Sequence, residues 1–444
     1  MIRYLATNYR VNKTRFHRLS KEGGWILAGQ VASVLGALTL VRVLTEYLQP
    51  AEYGQLALSL TIAALMNQVV MGGVTNGVSR YYSIAAEKRD LWGYLKSSKQ
   101  LMAYATIVVV MIAIALGVVL IALDQSSWLS LMFLIVLFSI FTGFNGALSG
   151  VQNAARQRPI VALHAGLDAW LRIGMAVGMV ILLGSSSAAV VLGYFLSAFL
   201  VTMSQLFFLK RLLRRNAATH NEQCDQKWLE QMWAFSWPFS VWGIFTWAQQ
   251  VSDRWALQTF TTTADVGQYA VVYQLGFAPI GLLVGLMVSL IAPVLYQRAG
   301  DATDQSRNAN VHRLVWRIVK ISLFLTMLGF VFAWGLHEWL FEWLVAEEYR
   351  VASEYLPWMI LAGGFFATGQ MLSLKLMTEI RSNKLLHAKV GSAIVGIMAN
   401  IIGAQLFGVT GVVIGLVVFA VVFLFWVVIA TWQEPIDKCI QDQA

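Results

Sequence analysis

Three ionisable side chains recur at a four-residue spacing within one apolar stretch of the chain. His164, Asp168 and Arg172 are each four residues apart, so on a helix they share one face. A charge at bilayer depth costs about 3 kcal/mol on insertion scales and usually faces a cavity or a partner. One interpretation is a site where Arg172 binds an anion while Asp168 and His164 exchange a proton. The other is a self-neutralising Asp–Arg pair packed between helices.

A second group of charged residues ends two other apolar stretches. Asp253 and Arg254 are adjacent, Gln249 and Gln250 lie one turn earlier, and Arg42 ends the first apolar stretch. Guanidinium groups bind phosphate oxygens through two parallel hydrogen bonds. Arg42, Arg254 and Gln250 are therefore candidates for binding a phosphate-bearing ligand, and Asp253 is a candidate for proton coupling. The alternative is that both arginines extend into the lipid head groups and bind no ligand.

The seventeen tryptophans offer a further kind of binding surface. Trp170 lies deep in the stretch that carries Arg172, and Trp242 and Trp247 lie in the stretch that ends at Arg254. Flat aromatic faces stack on sugar rings, whereas tryptophan is also the usual anchor at a membrane interface. Their depth makes these three the candidates for sugar contact, with the anchor role as the alternative.

The composition defines the elements that must position these side chains. Of the 444 residues, 58% are hydrophobic and only 12% are charged, whereas a soluble domain carries about 25% charged residues. An ordinary soluble enzyme is therefore excluded. Twelve stretches are each long enough to cross a hydrocarbon core of about 30 Å. They are predicted at 24–44, 53–71, 101–123, 128–150, 159–183, 187–209, 234–254, 267–296, 315–336, 355–378, 387–407 and 409–431.

Basic residues are distributed unevenly between the connections. Twenty-eight of the 32 lysines and arginines fall in the N-terminal segment or in connections on its side of the membrane, and the opposite connections hold only Arg350. The positive-inside rule therefore predicts that both termini are cytoplasmic, which agrees with an even number of crossings. This topology accounts for the net charge of +9, so no nucleic-acid partner is expected.

An internal repeat indicates two related halves. The run Pro50-Ala-Glu-Tyr-Gly-Gln55 follows Arg42, and the run Thr263-Ala-Asp-Val-Gly-Gln268 follows Arg254. Each copy has an arginine at the end of one helix, an acid in the turn and Gly-Gln at the start of the next helix. With six helices per half, the two halves have the same orientation. The predicted fold is an all-α integral membrane protein with 12 transmembrane helices in two parallel six-helix bundles around a central cavity.

This prediction divides the chain into five segments. They are a basic cytoplasmic N-terminal segment 1–23, an N-lobe 24–209 with helices 1–6, a cytoplasmic linker 210–233, a C-lobe 234–431 with helices 7–12, and a cytoplasmic tail 432–444.

Several short motifs carry a family resemblance that extends over essentially the whole chain. They are Leu-x-Pro-x-Glu-Tyr-Gly at 48–54, Gly-Val-Thr-Asn-Gly-Val-Ser-Arg-Tyr-Tyr at 73–82, Phe-x-x-Pro at 235–238, Glu-Glu-Tyr-Arg at 347–350 and Phe-Gly-Val-Thr-Gly at 407–411. The chain resembles the polysaccharide-transport branch of the multidrug/oligosaccharidyl-lipid/polysaccharide exporter superfamily. The resemblance implies a MATE-like fold, alternating access between two V-shaped lobes, and energy from an ion gradient or the membrane potential.

The resemblance also implies a substrate. The expected function is that of a bacterial inner-membrane flippase, which moves a polyprenyl-pyrophosphate-linked oligosaccharide repeat unit to the outer leaflet for O-antigen or exopolysaccharide synthesis. A polysaccharide polymerase is a candidate partner, and a monomer is the expected working unit. Two alternatives remain: a cation-coupled multidrug or small-molecule exporter of the same fold, and a membrane scaffold for polysaccharide assembly that transports nothing.

Enzyme hypotheses find no support in the motifs. The chain has no GxSxG, no HExxH and no P-loop, and its histidines and carboxylates show no metal-ligand spacing. The largest predicted loops, 72–100, 210–233 and 297–314, are too short for a catalytic domain. Only two cysteines occur, Cys224 and Cys439, so no disulfide framework is expected. We therefore predict neither a cofactor nor a metal ion nor a catalytic residue.

Overall fold

The regular elements of the protein are helices. The structure, a computed structural model, describes residues 2–216, 227–299, 305–379 and 382–432, and within these ranges no strand occurs. The α-helices are α1 (Ile2–Tyr47), α2 (Pro50–Leu65), α3 (Gly72–Glu87), α4 (Leu91–Ala122), α5 (Leu129–Ala154), α6 (Arg158–Leu183), α7 (Ser187–Asn216), α8 (Trp228–Phe260), α9 (Thr263–Gly276), α10 (Ala278–Ala299), α11 (Gln305–Leu344), α12 (Leu356–Thr378) and α13 (Ser382–Trp432).

The helices have the length and composition of membrane spans. Among the described residues, ten helical stretches are long and apolar enough to cross a membrane, which confirms the prediction of an all-α, multi-pass membrane protein. The 33-residue α8 is outside these ten, and it carries the polar run that includes Asp253 and Arg254. The 51-residue α13 is interrupted at Gly408, whose combination of φ 58° and ψ −131° is readily adopted only by glycine. The sequence predicts a turn at this residue.

The helices extend further than their apolar parts. The predicted span 53–71 lies within a helical run from Pro50 to Glu87, in which a π-helical segment at Met66–Met71 joins α2 to α3. Most of the predicted loop 72–100 is therefore helical. Asp90 is the N-cap of the next helix, α4, because its carboxylate Oδ1 accepts a hydrogen bond from the Gly93 N–H at 3.0 Å.

Parts of the predicted linker and tail lie outside the described residues. The middle of the predicted linker, residues 217–226 with Cys224, and the tail beyond Trp432 with Cys439 lie outside the described residues. The predicted N-terminal segment 1–23 is described only as far as its backbone, which belongs to α1 from Ile2 onward.

The chain forms two compact units. Unit 1 consists of Met1–Leu40 and Ser59–Trp247, and unit 2 consists of Val41–Leu58 and Ala248–Ala444. The predicted lobes, 24–209 and 234–431, follow sequence order. They assign α1 from residue 24 onward to the first half and α8 from residue 234 onward to the second. The compact units instead divide both helices. The predicted lobe boundaries stay a prediction.

Unit 1 incorporates the first part of α8 through a buried polar contact. The indole N–H of Trp228 donates to Asp90 Oδ2 at 2.6 Å, and both side chains are buried. The rings of Tyr81 and Tyr94 contact the Trp228 ring edge-on, with centroids 6.2 and 6.5 Å away. Further along α8, the helix packs closely against glycine residues of α3, because a Cβ at Gly73 would meet the Ser240 hydroxyl.

Unit 2 incorporates the end of α1 and the start of α2. The Tyr349 hydroxyl donates to the Leu48 carbonyl oxygen at 2.8 Å, and the Ala346 N–H donates to the Thr45 hydroxyl at 3.2 Å. The Tyr53 ring contacts the Tyr349 ring edge-on at 5.8 Å. These contacts join the turn between α1 and α2 to the 3₁₀ segment Glu347–Tyr355 that precedes α12.

The two copies of the internal repeat contact each other within unit 2. A Cβ at Gly54 would collide with the Thr263 carbonyl oxygen, and a Cβ at Gly267 would collide with the Pro50 carbonyl oxygen. In the repeat, Gly54 corresponds to Gly267 and Pro50 corresponds to Thr263. The contact is therefore reciprocal, as expected if the first helical turns of α2 and α9 are equivalent and related by a local two-fold axis.

This close approach predicts a large effect of a side chain at Gly54. In Gly54→Val the added atoms would meet backbone rather than a movable side chain, so we expect a loss of stability of at least about 3 kcal/mol, the upper part of the range for overpacking. The measurement is thermal unfolding of the detergent-solubilised protein. Gly335→Val is the matched control, since no atom lies within 4 Å of a Cβ there. Equal unfolding temperatures for both variants would contradict the observed packing.

Candidate functional site

The Asp168–Arg172 pair predicted from sequence forms on α6 within unit 1. Arg172 Nη2 and Asp168 Oδ2 are 2.6 Å apart, and the two side chains are 27% and 29% exposed. The guanidinium also lies against two aromatic rings, with centroids 5.5 Å away for Phe138 and 5.4 Å away for Tyr194. The pair therefore faces α5 and α7, which carry these two rings.

The pair leaves hydrogen-bonding capacity unused. Asp168 Oδ1 and Arg172 Nε are buried, and neither atom has a hydrogen-bond partner among the described residues. A carboxylate and a guanidinium that satisfied each other fully would form two parallel hydrogen bonds. This pair forms one, so Asp168 Oδ1 and Arg172 Nε remain for a ligand or a water molecule.

His164 lies on the same helix face but has its own partners. Its Nδ1 is 2.8 Å from the Ile160 carbonyl oxygen, and its Nε2 is 3.0 Å from the Ser204 hydroxyl. The ring contacts Phe208 edge-on at 5.4 Å, and the residue is 1% exposed. Because a carbonyl oxygen can only accept, Nδ1 carries the proton and Nε2 accepts from Ser204. This arrangement favours a packing role for His164, and its predicted role in proton coupling stays a prediction.

The three predicted tryptophans also lie in unit 1, in different environments. The Trp247 indole N–H donates to the Thr61 carbonyl oxygen at 2.8 Å, which fixes its ring between helices. Trp170 on α6 is 49% exposed, whereas Trp242 on α8 is 36% exposed. Both faces are large enough to stack on a ring. Their contact with sugar stays a prediction.

The second predicted pair, Asp253 and Arg254, lies in unit 2 and is held by two tyrosines. Asp253 is 2% exposed. Its Oδ2 accepts from the Tyr269 hydroxyl at 2.7 Å, and its Oδ1 accepts from the Arg254 backbone N–H at 2.7 Å. The Arg254 guanidinium lies over the Tyr273 ring, 4.7 Å from the centroid.

The three candidate arginines therefore differ in how their charge is balanced. Arg42 forms an ion pair with Glu46 one turn later, and Arg172 forms one with Asp168. Among the described residues, no carboxylate forms an ion pair with the Arg254 guanidinium. Arg254 is half-buried, its guanidinium has the Tyr273 ring on one side, and the adjacent Asp253 attracts it electrostatically. The guanidinium forms no hydrogen bond with the part of the chain that the structure describes. The structure places Gln250, one turn before Arg254, in an exposed position on the same helix.

Sequence reasoning did not select the tyrosines that surround Arg254. Tyr269 and Tyr273 are four residues apart on α9. Next to them, the Tyr53 hydroxyl donates a hydrogen bond to the Gln274 side-chain oxygen at 3.3 Å. The spacing of Tyr269 and Tyr273 was a visible signal, because residues four apart share a helix face. Their contact with Asp253 and Arg254 depends on how α9 folds back on α8, which the spacing alone does not reveal.

Solved structures of membrane transporters share this fold. A lipid II flippase MurJ in an inward-closed conformation is similar over 93% of this chain and 88% of that chain, with a TM-score of 0.68 at 12% identity. A MATE family multidrug resistance transporter in an inward-facing conformation is similar over 90% of this chain and 94% of that chain, with a TM-score of 0.62 at 14% identity. A point mutant of the Vibrio cholerae MATE transporter VcmN is similar over 96% of this chain and 97% of that chain, with a TM-score of 0.60 at 15% identity. At these identities the similarity establishes the fold.

The sequence defines the family. Residues 19–298 match the family described as "Polysaccharide biosynthesis protein", and because the match covers more than half of the chain, the chain belongs to this family. No curated protein sequence matches it. The family match confirms the predicted resemblance to a family of polysaccharide proteins, and the solved structures that share the fold are those of a flippase and of multidrug transporters.

The half-satisfied pair on α6 predicts a separation of stability from activity. Arg172→Gln alone leaves Asp168 without its cation, and removal of one partner of a buried ion pair costs about 3–5 kcal/mol, less at this partial exposure. The double variant Asp168→Asn with Arg172→Gln removes both charges and should recover the membrane level of the wild type. The measurements are the amount of folded protein in membranes and the export of polysaccharide.

Export decides between the two interpretations of this pair. If the pair only packs helices, the double variant recovers export together with its membrane level. If Arg172 binds the substrate, the double variant is present at normal levels and exports nothing.

Proposed function

We propose that the protein is a flippase that moves a polyprenyl-pyrophosphate-linked oligosaccharide repeat unit from the cytoplasmic to the outer leaflet of a bacterial inner membrane. Family membership supports a role in polysaccharide biosynthesis, and the fold is one used by proteins that move lipid-linked or small-molecule substrates across membranes. The O-antigen or exopolysaccharide repeat unit is the proposed substrate class.

One observation carries the choice of an anionic substrate. Arg254 on α8 forms no ion pair with any carboxylate in the described part of the chain. Arg254 lies over Tyr273, and the adjacent Asp253 already accepts two hydrogen bonds. A planar guanidinium with free donors suits the oxygens of a pyrophosphate. Arg42 and Gln250 in unit 2, and separately Arg172 in unit 1, are proposed as further groups that contact the substrate.

The proposed topology has twelve crossings with both termini in the cytoplasm. The ten apolar helical stretches become twelve when α8 is counted and the last stretch is divided at Gly408. The distribution of basic residues supports this orientation. It implies that Arg42 and Arg254 lie toward the outer face, while the end of α7 and the start of α8 lie toward the cytoplasm. We take one chain as the working unit.

The membrane potential favours this direction of transport. A pyrophosphate-linked lipid carries about two negative charges, and each charge that moves outward across about 100 mV, negative inside, releases roughly 2.3 kcal/mol. The remaining barrier is the desolvation of the head group. Cationic side chains in the path lower it, since they replace the water that the phosphates lose. Asp168 and Asp253 are the carboxylates through which proton coupling would act.

The proposal predicts which lipid accumulates when the protein is absent. We expect deletion to leave the complete repeat unit on its pyrophosphate carrier, confined to the cytoplasmic leaflet, because synthesis continues and translocation does not. Mass spectrometry of extracted polyprenyl-linked sugars measures the accumulation and identifies the sugar. Unchanged lipid-linked sugars would refute the proposal, and new sensitivity to cationic dyes would then indicate a multidrug exporter.

Substitution of Arg254 tests the site itself. We expect Arg254→Ala to abolish export at a normal membrane level, and Arg254→Lys to restore little, because an ammonium group cannot form the paired hydrogen bonds of a guanidinium. Arg350→Ala is the matched control, since Arg350 is an exposed arginine outside the site. Wild-type export by Arg254→Ala would remove this residue from the site and would favour a scaffold function that needs no substrate contact.

A further inference from the structure

A groove at one end of unit 2 has no part in the site described above. It is a cavity of about 650 Å³ between α11, the start of α12 and the second half of α13. This volume lies within the range of small-molecule sites, about 300–1,000 Å³. None of its lining residues belongs to the arginine and tyrosine cluster around Arg254.

One end of the groove is polar. His337, Glu354, Tyr355 and Thr410 lie there. The Tyr355 hydroxyl and the Thr410 hydroxyl are 2.9 Å apart, and His337 Nδ1 is 3.1 Å from the Ser353 hydroxyl. The carboxylate of Glu354 is exposed. Among the described residues that line the groove there is no arginine or lysine, so the polar end offers a negative charge and hydroxyl groups.

The other end is apolar and runs along α13. Val413, Ile414, Val417 and Val418 follow Thr410 along this helix. From Thr410 to Val418 the groove therefore follows two helical turns, a length of about 12 Å at 1.5 Å per residue. These residues lie within a stretch that is apolar enough to span a membrane, which suits contact with an acyl chain.

Aromatic rings form the wall between the two ends. The ring centroids of Trp334 and Trp358 are 5.9 Å apart in an edge-to-face arrangement, and Phe330 contacts both rings, at 5.6 and 5.5 Å. Trp334 remains 57% exposed and Trp358 38% exposed. Aromatic faces beside a carboxylate attract an ammonium group through cation–π contact and ion pairing.

We infer that this groove binds a phospholipid whose head group bears a primary ammonium, with the ammonium at Glu354 and Trp334 and an acyl chain along Val413–Val418. The gradient from polar to apolar fits an amphiphile that stands parallel to the spans, and a soluble sugar would leave the apolar half unfilled. The absence of lysine and arginine from the described lining disfavours an anionic head group. The proposed topology assigns the lipid to the outer leaflet, and the binding itself does not depend on the proposed transport function.

Native mass spectrometry of the full-length protein tests this inference. The detergent-solubilised protein is titrated with phosphatidylethanolamine, or with phosphatidylglycerol of the same chains, and retained lipid is counted. We expect one phosphatidylethanolamine to be retained with about tenfold preference. Glu354→Gln should abolish the preference, because it removes the charge and keeps the shape. Glu342→Gln is the matched control, an exposed glutamate at the end of α11 outside the groove, and should keep it.

A second variant tests the apolar end independently of the charge. Ile414→Trp adds a large side chain at an exposed position of the groove and should lower retention of both lipids. Equal retention of both lipids by the wild type, a preference that survives Glu354→Gln, or displacement of phosphatidylethanolamine by a soluble oligosaccharide would overturn the inference. Export of polysaccharide is measured separately on the same variants, so a failure of lipid binding is distinguishable from a failure of the flippase proposal.

Discussion

The cost of removing a charge from water is the constraint on which the candidate site depends. A guanidinium that loses its surrounding water must find compensation from neighbouring groups. Arg42 and Arg172 obtain it from carboxylates one turn away on their own helices, so helix geometry alone supplies the partner. Arg254 lies over an aromatic ring beside an aspartate that a tyrosine already engages. Asp253 attracts Arg254 electrostatically but forms no ion pair with it, so the guanidinium donors of Arg254 are not engaged by a carboxylate.

Close backbone contact imposes a second constraint within unit 2. Helices in a membrane associate closely where small residues let their backbones approach. The first helical turns of α2 and α9 approach so closely at Gly54 and Gly267 that neither position tolerates a Cβ. The hydrogen bonds of Tyr349 and Thr45 add to this contact. Residues 41–58 are consequently part of unit 2, although the chain reaches them from a helix that begins in unit 1. In the same way, Trp228 and Asp90 hold the first part of α8 in unit 1.

The sequence predicts those features that are local or periodic. Hydropathy locates the spans, because burial in lipid requires long apolar runs, and the repeat identifies the two turns that later prove to be in contact. Four-residue spacing predicts the Asp168–Arg172 pair, since both residues are on one helix. Hydropathy underestimates the helix that ends at Glu87, because helices continue past the hydrocarbon into the polar interface. Contacts such as Tyr269 with Asp253 join different helices, so only the packed structure reveals them.

Fold alone does not select the substrate, because flippases and multidrug exporters share it. The state of the carboxylates is more informative. A site for a cationic drug needs an acid that is free to receive the cation. In unit 2, both oxygens of Asp253 accept hydrogen bonds within the protein. In unit 1, Asp168 offers only one buried oxygen, and the other is paired with Arg172. A cation would have to compete with Arg172 and Tyr269 for these acids, whereas an anion finds donors available at Arg254. The chemistry of the two pairs therefore favours an anionic head group.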